Sequence, residues 1–283
     1  YQIKPDFPFS PGGEFAGVVH SVGNKVKMWN VGDRVIGFKG SGGFSEQAIC
    51  NEYNIMPLPE SMDYVSGSIF PLNYGTSIHA FKQRAKLQAK ETVLIMGAAG
   101  GLGITAIHVA KAMGATVIAA ASSQEKLDLC KSQGADELIL YSRDNMDKES
   151  QKGFSDQIKA LTNKQGVDVV FDPVGGAYSE PALRAMAWKG RYLVIGFTSS
   201  IPSIPLNLAL LKGCQIVGVF WGNFCVKEPL VNAANFKDLF TMFEDGKIKP
   251  FVVETYPLEK TGYAIQLLAK REAIGKIAIK VRD

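Results

Sequence analysis

The sequence contains little cysteine and little histidine. The spacing of the cysteines, without any Cys-x-x-Cys pair, argues against a disulfide framework or a zinc knuckle and is typical of reduced cysteines in an intracellular protein. The four cysteines are Cys50, Cys130, Cys214 and Cys225, and the three unclustered histidines are His20, His79 and His108. Because a tetrahedral zinc site needs three or four converging ligands, we predict that the chain holds no metal.

The sequence also lacks a long apolar run and a strong charge of one sign. No uninterrupted apolar run approaches the roughly 20 residues that a membrane-spanning helix needs, so we predict no membrane span. The net charge of +4 is not concentrated in a basic run, which argues against nucleic acid as the main ligand. Because no signal-peptide pattern is present, we expect a cytoplasmic protein, with a mitochondrial location left open by a removable targeting segment.

The most informative stretch is an apolar run that leads into glycines and then into a helical pattern. Residues 93–96 are apolar without interruption, as in a strand buried on both faces, and apolar residues recur at helical spacing up to Gly114. This order gathers backbone N–H groups and the positive end of a helix around one point, where a pyrophosphate fits. The predicted contacts are Ala99, Gly100, Gly101, Leu102 and Gly103.

Two of these glycines have distinct expected roles. Gly100 lets the backbone approach the ligand, and Gly103 lets the helix pack close to the strand. Ala98 stands where the usual G-x-G-x-x-G pattern has its first glycine, so the pattern alone is a weak signal. A glycine turn that binds nothing remains the alternative interpretation.

The arrangement of the chain predicts an α/β protein. The first seventy or so residues contain short β-prone runs between turn clusters, without alternation of strands and helices. From about Pro71 strands alternate with helices, which predicts a doubly wound parallel sheet of the Rossmann type with right-handed crossovers. Ligands of such sheets bind at the carboxyl ends of the strands.

The choice of nucleotide depends on the end of the second strand of this alternating region. An Asp or Glu there would accept from the ribose hydroxyl of NAD, whereas this sequence has Ala121, Ser122 and Ser123, with Lys126 shortly after. Two hydroxyls and a cation suit the phosphate ester of NADPH, and Ser122 and Lys126 are the predicted contacts. Alternatively, Ser122 and Glu125 form a helix capping box and Lys126 is a solvated surface lysine. The two interpretations are compatible, because a helix N-terminus is itself a phosphate site.

Several motifs together resemble the zinc-free quinone oxidoreductases of the medium-chain dehydrogenase/reductase superfamily. They lie at residues 11–19, 22–23, 32–35 and 98–103, and three further motifs at 187–191, 196–197 and 220–222 resemble one branch of that family more closely. Zinc-dependent relatives carry a His between the glycine and the glutamate of the motif that is Gly12-Gly13-Glu14 here, and a Cys at the position of Leu72, and this chain has neither.

The resemblance implies a GroES-like, β-rich catalytic domain around a Rossmann domain that binds NADPH. It places the Rossmann domain at residues 73–223 and the catalytic domain at residues 1–72 and 224–283, with the site in the cleft between them. Family members carry a further segment ahead of the position matched by Tyr1, so we expect the catalytic domain to be incomplete at its N-terminus. The family also implies a homodimer, paired through the strand predicted at residues 215–220.

The resemblance further implies contacts with the cofactor outside the glycine-rich stretch. Around the nicotinamide these are Thr76, Gly196, Phe197, Phe220 and Trp221, and for the aromatic residues packing in the sheet is an equal alternative. Tyr141 is implied beside the adenosine phosphate, Tyr1 at the edge of the cleft and Arg271 at the phosphates. Packing is the alternative for Tyr141, and a solvated side chain is the alternative for Arg271.

These observations predict an NADPH-dependent reductase of small quinones or α,β-unsaturated carbonyls that works without a metal. Such acceptors need little help from the protein, because the charge delocalises onto a distant oxygen. We therefore assign no catalytic residue. Tyr74 is a candidate proton donor, with packing as the alternative. Enoyl-thioester reduction and non-enzymatic binding of NADPH, as in lens crystallins of this fold, are the other candidate functions.

Overall fold

The computed structural model describes residues 6–142, 147–270 and 273–282. The strands are β1 (Glu14–Val18), β2 (Arg34–Phe38), β3 (Ile55–Pro57), β4 (Thr92–Met96), β5 (Thr116–Ala121), β6 (Glu137–Leu140), β7 (Val167–Asp172), β8 (Met186–Val194), β9 (Gln215–Gly218), β10 (Val252–Pro257) and β11 (Lys276–Lys280). The helices are α1 (Tyr64–Ser68), α2 (Phe70–Ile78), α3 (Gly101–Ala112), α4 (Gln124–Ser132), α5 (Lys148–Leu161), α6 (Ser179–Arg184), α7 (Asn207–Lys212), α8 (Trp221–Lys227), α9 (Pro229–Glu244) and α10 (Thr261–Ala269). A π-helical segment, His79–Ala85, follows α2.

Contacts group the chain into two compact units. One comprises Tyr1–Asn73 and Pro250–Asp283, and the other comprises Tyr74–Lys249. Within the described ranges, no helix combines the length and the apolar character that crossing a bilayer requires.

The larger unit is built on one six-stranded sheet. Its strand order is β6-β5-β4-β7-β8-β9, and every neighbouring pair is parallel. The predicted Rossmann sheet is therefore confirmed. The apolar run of β4 lies in the middle of the sheet, where Val93, Leu94, Ile95 and Met96 have no exposed surface. The direction of strand succession reverses between β4 and β7, so the carboxyl ends of these two strands mark the switch point at which such sheets bind ligands.

The smaller unit contains two small sheets. β1, β2 and β3 form an antiparallel sheet, and β10 pairs with β11 in parallel. The Glu14 carboxylate accepts from the Leu72 N–H at 2.7 Å and pairs with the Lys276 ammonium at 2.7 Å, which ties β1 to β11 and to the first turn of α2. Arg34 donates to the carbonyl oxygens of residues 59, 60 and 62.

The boundary between the units differs from the predicted one at residue 223. Residues 224–249 belong to the larger unit, whereas the sequence placed them in the catalytic domain. The reason lies in α9, where the fully buried Asn235 exchanges two amide hydrogen bonds with Gln83, at 2.9 and 3.0 Å. Asn232 also accepts from the indole N–H of Trp221 at 3.0 Å. These polar contacts fix α9 to the elements that precede and follow the sheet.

A partly buried ion pair joins β8 to the residue that precedes β4, at the amino-terminal edge of the large sheet. The Arg191 guanidinium makes two bonds to the Glu91 carboxylate, at 2.9 and 2.6 Å, and donates to the Ala85 carbonyl oxygen at 2.8 Å. Burial raises the pKa of Glu91, but the bonds from Arg191 and the Gln88 N–H, with the Arg191 charge, outweigh this and lower it. The pair therefore stabilises the fold in its ionised form.

Replacing Arg191 tests this contribution. We expect Arg191→Met to lower the free energy of unfolding by about 3 kcal/mol, because Glu91 is left partly buried without its partner. Since the pKa of Glu91 is lowered in the folded state, the decrease in the free energy of unfolding has its full size above the pKa of the unfolded carboxyl. It shrinks as the pH falls through the folded value. Urea unfolding over a pH series measures both effects.

The matched control is Arg184→Met, which removes a pair between Arg184 and Glu180 on the surface of α6. Such exposed helical pairs contribute about 0.5 kcal/mol. Equal losses in the two variants would show that the Arg191 pair contributes no more than a surface pair.

Candidate functional site

A tight turn connects β4 to α3 at the switch point, and residues 97–100 are called the glycine turn below. Gly97 has a φ of +58°, and the Gly100 N–H donates to the Gly97 carbonyl oxygen at 3.0 Å. Gly100 precedes the helix in extended conformation, and the first helical bond runs from the Ile104 N–H to the Gly100 oxygen at 2.9 Å. The N–H groups of residues 101–103 therefore have no acceptor within the helix, as at every helix start.

The glycines of this region differ in what a side chain would meet. A Cβ on Gly103 would lie 2.4 Å from the Ala98 oxygen, so only glycine lets the helix start so close to the strand end, as predicted. A Cβ on Gly100 would meet only the Gly97 oxygen, at 3.4 Å, so the space beside this residue is open. Ala99 is buried, whereas Gly101 and Leu102 are half-buried.

The end of β5 carries no carboxylate, as the sequence indicates. Ser123 is the residue that caps α4, since its hydroxyl accepts from the Lys126 N–H at 3.4 Å. The proposed capping box of Ser122 and Glu125 is therefore wrong, because the helix begins one residue later. Ser122 lies between the buried Ala121 and the cap, and Ser122 and Lys126 are both half-buried.

A buried carboxylate at the end of β7 shapes the loop that follows, residues 173–176 or the β7 loop. Asp172 is only 3% exposed. Its Oδ1 accepts from the N–H groups of Val174 at 2.8 Å and Gly175 at 2.9 Å, and its Oδ2 accepts from the Ser179 hydroxyl at 2.9 Å and from the Tyr192 hydroxyl. Burial, and then the charge of Asp172, raise the pKa of Tyr192 well above its usual range. Tyr192 is therefore a protonated donor.

Asp172 is not among the residues predicted from the sequence. The signal available in the sequence was its position: Asp172 ends an apolar strand and is followed by Gly175 and Gly176. Acidic residues are rare in strands that are buried on both faces. Gly175 and Gly176 both have positive φ, at +69° and +71°.

The loop after β8, residues 195–200 or the β8 loop, pairs with the β7 loop. The N–H groups of Thr198 and Ser199 donate to the oxygens of residues 173 and 174, at 3.3 and 2.9 Å, and the Gly176 N–H donates to the Ser200 oxygen at 2.8 Å. The β8 loop contains Gly196 and Phe197, both half-buried, and the Phe197 ring lies directly beside Gly175.

The β7 loop also contacts the glycine turn. A Cβ on Gly97 would lie 2.7 Å from a methyl carbon of Val174. The structure thus brings together, at the carboxyl edge of one sheet, three loops that are far apart in the sequence. Of the predicted contacts, these loops contain Ala99, Gly100, Gly196 and Phe197. The other three glycine-rich contacts, residues 101–103, form the first turn of α3.

The remaining predicted contacts have different surroundings. Thr76 is buried in α2, and Tyr141 is 9% exposed and packs against the rings of Phe154 and Tyr178. Trp221 is 3% exposed and covers Gly75, whereas Phe220 is 60% exposed. Tyr141 and Trp221 thus show the packing that was the alternative. Tyr1 and Arg271 lie outside the described residues.

Tyr74, the candidate donor, lies in a buried polar network. Its hydroxyl shares a hydrogen bond of 2.8 Å with His108 Nδ1, and His108 Nε2 lies 3.0 Å from the Gln133 side-chain oxygen. Burial raises the pKa of Tyr74 and lowers the pKa of His108. Tyr74 has no exposed surface, which favours the packing interpretation. Among the described residues, no group of three or more His, Cys, Asp or Glu side chains could hold a metal.

Comparisons with known proteins agree with this architecture. Residues 1–60 match the family model of the alcohol dehydrogenase GroES-like domain, and residues 101–238 match that of the zinc-binding dehydrogenases. The quinone oxidoreductase-like protein 2 of Bos taurus is 35% identical over 284 residues, which is 100% of this chain and 79% of that protein. The chain belongs to the quinone oxidoreductases of the medium-chain dehydrogenase/reductase superfamily.

Other members of the family show the same relation. The quinone oxidoreductase of Rattus norvegicus is 32% identical over 93% of this chain and 77% of that protein. A probable oxidoreductase from Mycobacterium abscessus is 32% identical with a TM-score of 0.86, over 99% of this chain and 83% of that one. The Escherichia coli quinone oxidoreductase, solved in complex with NADPH, has the same fold, with 24% identity and a TM-score of 0.86 over 99% of this chain and 85% of that one. The resemblance seen in the sequence is confirmed, and the chain is an oxidoreductase of this family.

Proposed function

We propose that the protein is an NADPH-dependent reductase that transfers hydride to small quinones or α,β-unsaturated carbonyls without a metal. The observation that carries the proposal is the start of α3 at the switch point, beside a β5 end that has Ser122 and Lys126 instead of a carboxylate. Membership of the quinone oxidoreductase family supports it, as does NADPH in a solved structure of the same fold.

The glycine turn suits the pyrophosphate of the cofactor. The N–H groups of residues 101–103 and the dipole of a 12-residue helix favour an anion at this position. The open space beside Gly100 admits phosphate oxygens close to the backbone. The residues present therefore fit a dinucleotide.

The end of β5 suits a 2′-phosphate. An acidic side chain in place of Ala121 would accept from ribose hydroxyls and repel a phosphate that carries between one and two negative charges. Ser123 already uses its hydroxyl as the helix cap, so the hydroxyl of Ser122 and the ammonium of Lys126 are the groups that we assign to the phosphate.

The nicotinamide half extends towards the β7 and β8 loops, where Gly196 and Phe197 are the proposed contacts, and Thr76 of α2 is a further proposed contact. When bound, NADPH supplies a hydride, which quinones and conjugated carbonyls accept at carbon while the charge spreads to an oxygen. The chain orients the two reactants and excludes water, for which the half-buried Phe197 ring is suited. We assign no proton donor.

Titration of both nucleotides tests the cofactor assignment. A charge-assisted hydrogen bond contributes about 1.5–3 kcal/mol. We therefore expect Lys126→Ala to lower the affinity for NADPH about ten- to a hundredfold and to leave the affinity for NADH almost unchanged. The effect is at the low end at high salt, because Lys126 is only half-buried. Ala121→Asp inverts the preference between the nucleotides.

The matched control is Lys131→Ala, which removes the same charge from the last turn of the same helix. It leaves both affinities unchanged. Equal losses of NADPH and NADH in Lys126→Ala, or a wild-type protein that prefers NADH, would contradict the assignment of the phosphate.

Turnover with three substrate classes tests the reaction. We expect oxidation of NADPH with a quinone or an enal, and slower oxidation with an enoyl thioester. Turnover of the thioester alone would identify an enoyl-thioester reductase. Tight binding of NADPH without turnover of any of the three would identify a non-enzymatic binding protein.

We also propose that two copies pair through β9. It lies at an edge of the described sheet, and bare apolar edges are rare in proteins. Exposed apolar side chains follow it in the chain, with Phe220 60%, Val226 76% and Leu230 85% exposed. One backbone acceptor of this edge already has a partner, since Arg84 Nε donates to the Gly218 oxygen at 2.9 Å.

Sedimentation at micromolar concentration tests the pairing. We expect a dimer for the wild-type protein and a monomer for Ile216→Lys, because the charge would be buried at the centre of the interface. The control is Leu140→Lys, which places the same charge at β6, the opposite edge of the sheet, and leaves the dimer intact. A monomeric wild-type protein would refute the proposal.

A further inference from the structure

Asp172 carries a buried negative charge at the switch point, and the proposed function does not yet use it. All four of its hydrogen-bond donors named above are neutral groups, two from the backbone and two hydroxyls. Burying a carboxylate is costly unless such donors compensate for the lost water. The two carboxylate oxygens have different partners. Oδ2 accepts from the hydroxyls of Ser179 and Tyr192, and Oδ1 accepts from backbone N–H groups of the β7 loop.

The β7 loop needs such a support. Gly175 combines a φ of +69° with a ψ of −150°, a backbone conformation that is open only to glycine and lacks support from regular secondary structure. The two bonds from Oδ1 hold Val174 and Gly175 in place. Through them the carboxylate sets both the contact of Val174 with Gly97 and the packing of Gly175 against Phe197.

The order of the strands indicates which half of the proposed dinucleotide would lie at this loop. The glycine turn follows β4, Ser122 follows β5 on one side of it, and the β7 loop follows the strand on the other side. Neighbouring strands lie about 4.8 Å apart, so the β7 and β8 loops are about 10 and 14 Å from the end of β5. With the 2′-phosphate at β5 and the pyrophosphate at the glycine turn, these loops are left for the nicotinamide half.

We propose that Asp172 is a positioning residue for the nicotinamide half of NADPH, which acts through the β7 loop and does not touch the cofactor. The inference rests on the proposed function. Because the adenosine half binds two strands away, Asp172 affects NADPH but not a nucleotide that ends at the 5′-phosphate. A residue that only stabilised the fold would not discriminate between these two ligands.

The experiment compares NADPH with adenosine 2′,5′-bisphosphate, which carries only the adenosine half, by calorimetric titration. We expect Asp172→Ala to lower the affinity for NADPH at least about tenfold and to leave the affinity for the bisphosphate within about twofold of the wild-type value. Asp172→Asn keeps an acceptor oxygen for the Val174 and Gly175 N–H groups, while the two hydroxyls can turn to accept from its amide. It therefore restores NADPH to within about threefold of the wild type.

The matched control is Arg191→Met, which destabilises the same sheet at its opposite edge and leaves the ratio of the two affinities unchanged. If Asp172→Ala does not fold, Tyr192→Phe removes one anchor of Oδ2 without changing the shape of the core. We expect it to lower the affinity for NADPH about threefold and to leave the affinity for the bisphosphate unchanged.

The possible outcomes separate this inference from the proposed function. An unchanged affinity ratio in Asp172→Ala, or in Tyr192→Phe where the first variant does not fold, overturns the positioning role while NADPH binding stands. A loss in Asp172→Asn as large as in Asp172→Ala also overturns it, since the acceptor oxygen is retained. A wild-type protein that binds neither ligand overturns the proposed function and this inference with it.

Discussion

The close approach of α3 to the end of β4 is the constraint on which the rest of the larger unit depends. A Cβ on Gly103 would lie 2.4 Å from the Ala98 oxygen, so the first turn of the helix can lie this close to the strand end only with glycine at this position. This contact sets the start of α3, and with it the N–H groups of residues 101–103, directly above the strand that lies at the switch point. The neighbouring loops then adapt to this position, as Val174 does by packing on Gly97.

Buried charge is used differently at the two edges of the large sheet. At the amino-terminal edge the charge of Glu91 meets that of Arg191, which ties the loop before β4 to β8. At the carboxyl edge the donors to Asp172 within the described part of the chain are neutral, and two of them are backbone groups of the β7 loop. An ion pair between elements stabilises the sheet, whereas a carboxylate that organises a loop shapes a surface. This division agrees with ligand binding at the carboxyl ends of parallel strands.

Polar side chains also decide where the larger unit ends. The amides of Gln83 and Asn235 are self-complementary, because each nitrogen donates to the oxygen of the other, and Asn235 is fully buried. An unpaired amide in this position would cost about 1–3 kcal/mol. The pair therefore holds α9 against the π-helical segment, although the chain between them includes the whole sheet.

Local patterns in the sequence were enough for the core of the fold. The uninterrupted apolar run of β4, the glycines after it, the alternation of strands and helices and the missing acid at Ala121 each depend on neighbouring residues, and each was predicted. The sequence could not decide whether Ser122 or Ser123 caps α4, because both precede the same helical pattern and the choice depends on where β5 ends. Nor could it reveal the four donors of Asp172, the place of α9 or the burial of Trp221. Those depend on contacts between residues distant in the chain, which form only when the elements pack, so tertiary structure alone decided them.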